Sequence, residues 1–213
     1  MYYKFFHKIY YYIKNKINIL FYKNDIIIIK ETKLDYQNII LPYINSILYD
    51  NTKWINNIIN DIHPIINYNN NILYKNTKFV IVKDIVWQDD NYKNFYILAI
   101  PIKKILSIRE LTIDDIPLLF EMERIIYDIS KQYGINKNNL YLFFHYQPSY
   151  YQLHLHACII NNQFLQNKYK RHYFLDDIIN LLLLKDLKIK DLTLTYEIST
   201  NNIIYSLLKN YKN

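Results

Sequence analysis

Glycine occurs once in this chain of 213 residues, at position 134, and cysteine once, at position 158. With one cysteine no intramolecular disulfide can form, which suits a reducing compartment. Neither His-Glu-x-x-His nor Cys-x-x-Cys is present, so the common zinc frameworks are missing. The near-absence of glycine removes the usual punctuation of turns, and asparagine must take over that work. No run of about 18 apolar residues occurs, so a membrane-spanning helix is not expected. What the chain does have is an excess of tyrosine, isoleucine, asparagine and lysine, 51% hydrophobic residues and a formal charge of +7. That is ample apolar material for a core, and the charge suits an anionic partner.

Residues 1–25 carry Phe5, Phe6, Ile9, Tyr10, Ile13, Ile17 and Leu20 at helical spacing, interrupted by Lys4, Lys8, Lys14 and Lys16. This predicts a basic amphipathic helix packed on the domain or on a second subunit, the alternative being a helix lying on a membrane. No small-residue cleavage site follows a clean apolar run, so a signal peptide fits poorly. Ile26 to Ile29 reads as a short extended segment. Asp50 or Asn51 can cap a helix running to about His63, with Trp54, Ile58 and Ile62 on one face. Asn71–Lys75, Lys78–Lys83 and Asn94–Ile102 have the length of strands, and Gln88–Lys93 reads as a polar turn. Thr112 and Asp115 form a capping pair opening a helix that ends near Gly134, where a positive φ is most often needed. Tyr173–Leu184 reads as a helix, Leu192–Ile198 as a strand and Thr200–Tyr211 as a closing helix. A strand-rich centre with helices beside it is an α+β chain.

The chemistry gathers between His145 and Ile160, HYQPSYYQLHLHACII. Asn139–Tyr146 and Tyr151–Ile160 read as two strands of a β-hairpin, turned at Gln147-Pro148-Ser149-Tyr150. Alternation puts Gln152, His154 and His156 on one face, about 6.6 Å apart in sequence, with Leu153 and Leu155 on the other. A row of imidazoles can be satisfied core histidines, two-thirds of a zinc site, or acid/base and nucleophilic groups. Zinc lacks a third ligand, and Cys158 reads as a small buried hydrophobe. Ser149 and His145 on the same hairpin favour catalysis.

The segment HYQPSYYQLHLHA resembles the histidine-triad segment of the scavenger mRNA decapping enzymes, His-Tyr-x-Pro-Ser-Tyr-Tyr-His-Leu-His-x-His, with Gln152 in place of the first triad histidine. The resemblance extends upstream to Glu31-Thr32, Asp35–Ile39, Leu41-Pro42, Trp54–Ile59, Asp84-Ile85-Val86-Trp87, Ser107–Thr112 and Pro117–Leu119. Downstream it takes in Arg171–Ile179 and Thr193–Tyr196. It implies a histidine-triad domain over residues 31–213, after an N-terminal segment 1–30. The family's larger N-terminal domain finds no counterpart in this match. The implied fold is an antiparallel sheet of about five strands with flanking helices, paired in a two-fold homodimer.

The resemblance further implies metal-independent hydrolysis of the 7-methylguanosine cap dinucleotide or of short capped RNA, through a nucleotidyl-histidine and with no cofactor. His154 would be the nucleophile. His156, His145, Ser149 and Tyr150 would hold phosphates, Gln152 would orient, and Arg171 would meet the phosphates. Trp54 would stack on the methylated base, with Ile85 over its other face and Asp84 near its edge; on the residues alone Trp54 is equally a core anchor. Val86 stands where the family has a lysine, and Asn67, Tyr68 and Asn69 stand where it has a guanine-reading glutamate. The family works in the cytoplasm or nucleus. Two other classes stay open: a histidine-triad hydrolase of relaxed base specificity, and a non-catalytic binding or assembly subunit that kept the fold.

Overall fold

The computed structural model describes residues 25–60, 71–87, 91–160 and 171–212. The expected helix over 1–25, the end of the helix expected at His63, the 67–69 loop and part of the 88–93 turn lie outside them. Among the described residues no helix is long and apolar enough to cross a membrane.

The fold is α+β, as its pattern of apolar runs predicts. Six strands form one antiparallel sheet: β2 (Ile72–Lys75), β3 (Phe79–Lys83), β4 (Tyr96–Pro101), β5 (Leu140–His145), β6 (Leu155–Ile159) and β7 (His172–Phe174). Their spatial order is β2-β3-β4-β6-β5-β7. This is one strand more than expected. The addition is β7, where Tyr173 and Phe174 pair with Phe144 and Phe143 instead of opening the helix predicted from Tyr173. β4, with every residue buried, reads as the continuous apolar run YILAIP expected of a central strand. A separate two-stranded ribbon joins β1 (Ile26–Glu31) to β8 (Leu194–Ser199), so the strand expected over Leu192–Ile198 pairs with Ile26–Glu31 and not with the main sheet.

Among the described residues four helices of nine residues or more accompany these strands. α1 (Leu41–Ile59) begins about ten residues earlier than expected. It follows a short turn opened by a capping box, with Thr32 Oγ1 accepting from Asp35 N–H at 3.1 Å and Asp35 Oδ2 accepting from Thr32 N–H at 3.0 Å, and a π-helical turn Tyr36–Ile40. Pro42 suits the first turn, where its missing N–H is no loss. Asp50 and Asn51 are therefore mid-helix residues, not caps. At the far end Lys75 Nζ, reaching from β2, donates to the carbonyls of Ile58 and Ile59 at 3.2 and 2.9 Å. α2 (Ile116–Gln132) opens at the expected Thr112/Asp115 capping box and buries Leu119, Met122, Ile125, Ile126 and Ile129 at helical spacing. Gly134 closes it with φ +72°. α3 (Leu175–Leu183) packs on β5 and against α2, and α4 (Ile203–Lys212) packs on the π-helical turn.

Candidate active site

β5 and β6 are antiparallel neighbours, as the hairpin reading requires, but residues 146–154 form a longer connection than the four-residue turn predicted. Tyr151 to His154 are buried without joining the ladder. Within the ladder, His156 stands between Leu98 on β4 and Phe143 on β5, and His145 stands opposite His172 on β7. These side chains share one face of the sheet. The His154 and His156 rings are 4.8 Å apart between centroids, His145 and His156 4.2 Å, and His145 and His172 5.0 Å. Four imidazoles thus run from the end of the connection to the sheet edge. The sequence gives His172 no role because it lies 16 residues beyond His156, and only the β5–β7 pairing brings it to His145.

His154 is buried, and its Nδ1 lies 2.7 Å from the Gln152 carbonyl oxygen. A carbonyl can only accept, so the proton sits on Nδ1 and the lone pair on Nε2. His154 is among the residues that line a small pocket, together with His145, Pro148, Ser107 and Leu106. Burial lowers the pKa of His154, opposed by the Gln152 hydrogen bond and assisted by the Arg171 charge. His145 is held well below the usual histidine range, first by burial and then by the charges of His156 and Arg171. Both rings are therefore neutral near pH 7. His156 Nδ1 meets the hydroxyl of Tyr96 at 2.9 Å, a partner not anticipated from the sequence. Burial and the Asp84 carboxylate push the Tyr96 phenol pKa far up, so it stays protonated.

Arg171 comes to the same place. Its Nη1 donates to the Gln147 carbonyl at 3.0 Å, and its charge reaches His145 and His154. Gln152 contributes its main-chain oxygen to His154, while its side-chain amide nitrogen donates to the carbonyls of Pro101 and Lys103 at 2.8 and 3.0 Å. Ser149 and Tyr150 are exposed at the tip of the connection. Trp54, half buried on α1, meets Tyr150 edge to face at 5.1 Å between centroids. Asp84 and Ile85 sit in the turn after β3. Asp84 Oδ1 accepts from Val86 N–H at 3.0 Å, and Ile85 is exposed. Tyr150 is thus a ring neighbour of Trp54 that the sequence did not indicate. Among the described residues no group of three or more histidine, cysteine or acidic side chains is arranged to hold a metal.

Beneath the connection lies a buried polar cluster. Glu31 accepts from Arg109 Nε at 2.9 Å, Gln147 Nε2 at 2.6 Å, the Tyr196 hydroxyl at 2.8 Å and the Tyr146 hydroxyl. Tyr151 donates to Gln147 Oε1 at 3.2 Å. The cluster ties β1 and β8 to the segment between His145 and His154.

Residues 53–172 match the family model described as scavenger mRNA decapping enzyme C-term binding. The chain belongs to this family. Among curated relatives, the m7GpppX diphosphatase of Ascaris suum is 31% identical over 180 residues, which is 84% of this chain and 60% of that protein. The m7GpppX diphosphatase of Homo sapiens is 27% identical over 192 residues, covering 88% and 56%. The chain therefore spans rather more than half the length of these relatives. Among solved structures, a HIT family hydrolase from Legionella pneumophila Philadelphia 1 superimposes with a TM-score of 0.40 at 21% identity, over 48% of this chain and 87% of that one. The matched family segment contains Trp54, Asp84, Arg109, the whole 145–160 segment and Arg171.

Proposed function

We propose that this chain hydrolyses the triphosphate bridge of 7-methylguanosine cap dinucleotides or short capped RNA. The observation that carries the reading is the tautomer of His154: with Nδ1–H held by the Gln152 carbonyl, the lone pair is left on Nε2 of a residue that lines the pocket. Nε2 attacks the phosphorus bonded to 7-methylguanosine, and the bond to the bridging oxygen breaks. The nucleoside diphosphate or oligonucleotide leaves as the anion, near the Arg171 charge. The ring is now a phosphorylated imidazolium, and the Gln152 carbonyl stabilises its positive charge. Water then attacks the same phosphorus, the P–N bond breaks, and 7-methylguanosine monophosphate departs as the ring returns to neutral. His145, His156, Ser149 and Tyr150 surround the phosphates. Trp54 with Tyr150 receives the cationic base, an interaction worth about 0.5–2 kcal/mol. No metal or cofactor takes part.

The working unit in this reading is residues 31–213, paired with a second copy about a two-fold axis, in the cytoplasm or nucleus. A second reading, hydrolysis with relaxed base specificity, draws support from Val86, which brings no charge to the turn beside Asp84. Product analysis separates the two. Wild type is incubated with methylated and unmethylated cap dinucleotides, beside His154→Asn. The first reading expects 7-methylguanosine monophosphate from the methylated substrate preferentially, and none from the variant. Equal rates on both substrates favour relaxed specificity; no product from either overturns both.

A further inference from the structure

Asn51 lies on α1 one turn before Trp54, a spacing that puts the two side chains on the same helix face. Its amide is used at both ends. Nδ2 donates to the Ser149 carbonyl at 3.0 Å, and Oδ1 accepts from the Tyr151 N–H at 2.7 Å. The two contacts bracket Tyr150, whose ring is the one that meets Trp54 edge to face. Asparagine is a poor choice for the middle of a helix, because its side chain competes for backbone groups. Here it spends that capacity on a different segment of chain, the kind of local exception expected where function sets the residue.

We infer that Asn51 is a positioning residue for the base-binding platform: it locks the exposed tip of the 146–154 connection to α1, fixing Tyr150 against Trp54. The same connection continues through Tyr151 and Gln152 to His154. One amide therefore also sets the separation between the aromatic platform and the imidazole that the pocket presents. This rests on the proposed cap hydrolysis for its substrate, but the positioning itself can be measured without one.

Asn51→Ala is the test, since alanine is the better helix former and both contacts disappear. The expected result is a rise of about five- to tenfold in KM for the methylated cap dinucleotide, as two hydrogen bonds to the tip are lost, with kcat within about twofold. The preference over the unmethylated dinucleotide should fall. Asn51→Asp keeps the acceptor for Tyr151 N–H and loses the donor to Ser149, so it should fall between wild type and alanine. An unchanged KM with a lowered melting temperature overturns the inference, and so does an equal fall in kcat on both substrates. The near-ultraviolet circular dichroism of the Trp54–Tyr150 pair, taken as wild type minus Trp54→Phe, is read alongside. If wild type makes no product yet this signal is lost in Asn51→Ala, the positioning stands and the substrate reading falls. If the signal persists in Asn51→Ala, the positioning fails whatever the substrate.

Discussion

Glu31 and Arg109 stand 78 residues apart in the chain and form an ion pair at 2.8 Å with neither side chain exposed. The arginine is further satisfied by the carbonyls of Glu31 and Leu192, each at 3.0 Å, and lies over the rings of Tyr36 and Tyr146. Such a pair costs much to desolvate, and its members are tolerable only together.

Arg109→Met should therefore destabilise the protein by about 3–5 kcal/mol, because it leaves the Glu31 carboxylate buried without its counter-charge. Glu31→Leu combined with Arg109→Met should recover a large part of that loss. Urea unfolding of the single and double variants measures both. A double variant as unstable as the sum of its parts contradicts the account.

Gly134 holds φ +72°, yet a Cβ built there meets nothing within 4 Å. Gly134→Ala should cost about 1–2 kcal/mol from backbone conformation alone. Gly134→Asn should cost less, since asparagine visits that region more readily. Thermal melts of the two variants give the order; alanine as stable as glycine would contradict it.

Burial keeps His145 and His154 neutral in the fold at a pH where a free imidazole, near 6.5, takes up a proton. The unfolded chain then binds more protons than the folded one. Stability from this source is fully present above about pH 6.5 and is lost as pH falls toward the depressed folded values. The melting temperature should be flat from pH 8 to 7 and drop between pH 6.5 and 5, with a shallower drop in His145→Phe. A melting temperature equal at pH 7 and pH 5 would contradict the placement of these rings.

Tyr96 reaches His156 from β4, and it keeps its proton because burial and the Asp84 carboxylate raise its pKa. The contact holds the His156 ring at Nδ1 and leaves Nε2 as the nitrogen that can meet a phosphate. Tyr96→Phe removes the hydroxyl while keeping the ring. Turnover of the cap dinucleotide should fall about tenfold or more with little change in KM, as expected when a phosphate-facing group loses its orientation. Unchanged kcat would remove His156 from the proposed chemistry.

Much of this was readable from local pattern. Thr112, Asp115 and Gly134 announce both ends of α2 because caps and positive φ act over a few residues. The strands β3, β4 and β5 are short apolar runs bounded by polar residues. The rest depends on contacts that no local window contains. Local pattern offers Asp50 or Asn51 as a cap, yet α1 runs through both, and Asn51 is a mid-helix residue. Its side chain is instead committed to Ser149 and Tyr151, about a hundred positions away. Tyr173 was given to a helix because Tyr173 to Leu184 keeps helical spacing, and only pairing with Phe144 makes it a strand residue. Glu31, Arg109, Tyr146 and Tyr196 were visible as parts of matched segments, but nothing local foretells that they meet.

The measurement that bears most directly on the account is capture of the covalent intermediate. The protein is mixed with methylated cap dinucleotide, quenched in alkaline denaturant, where a phosphoramidate persists, digested and read by mass spectrometry. The account predicts 7-methylguanosine monophosphate joined to the peptide at His154. Product formed at full rate with an adduct on another residue, or by His154→Asn, would contradict it.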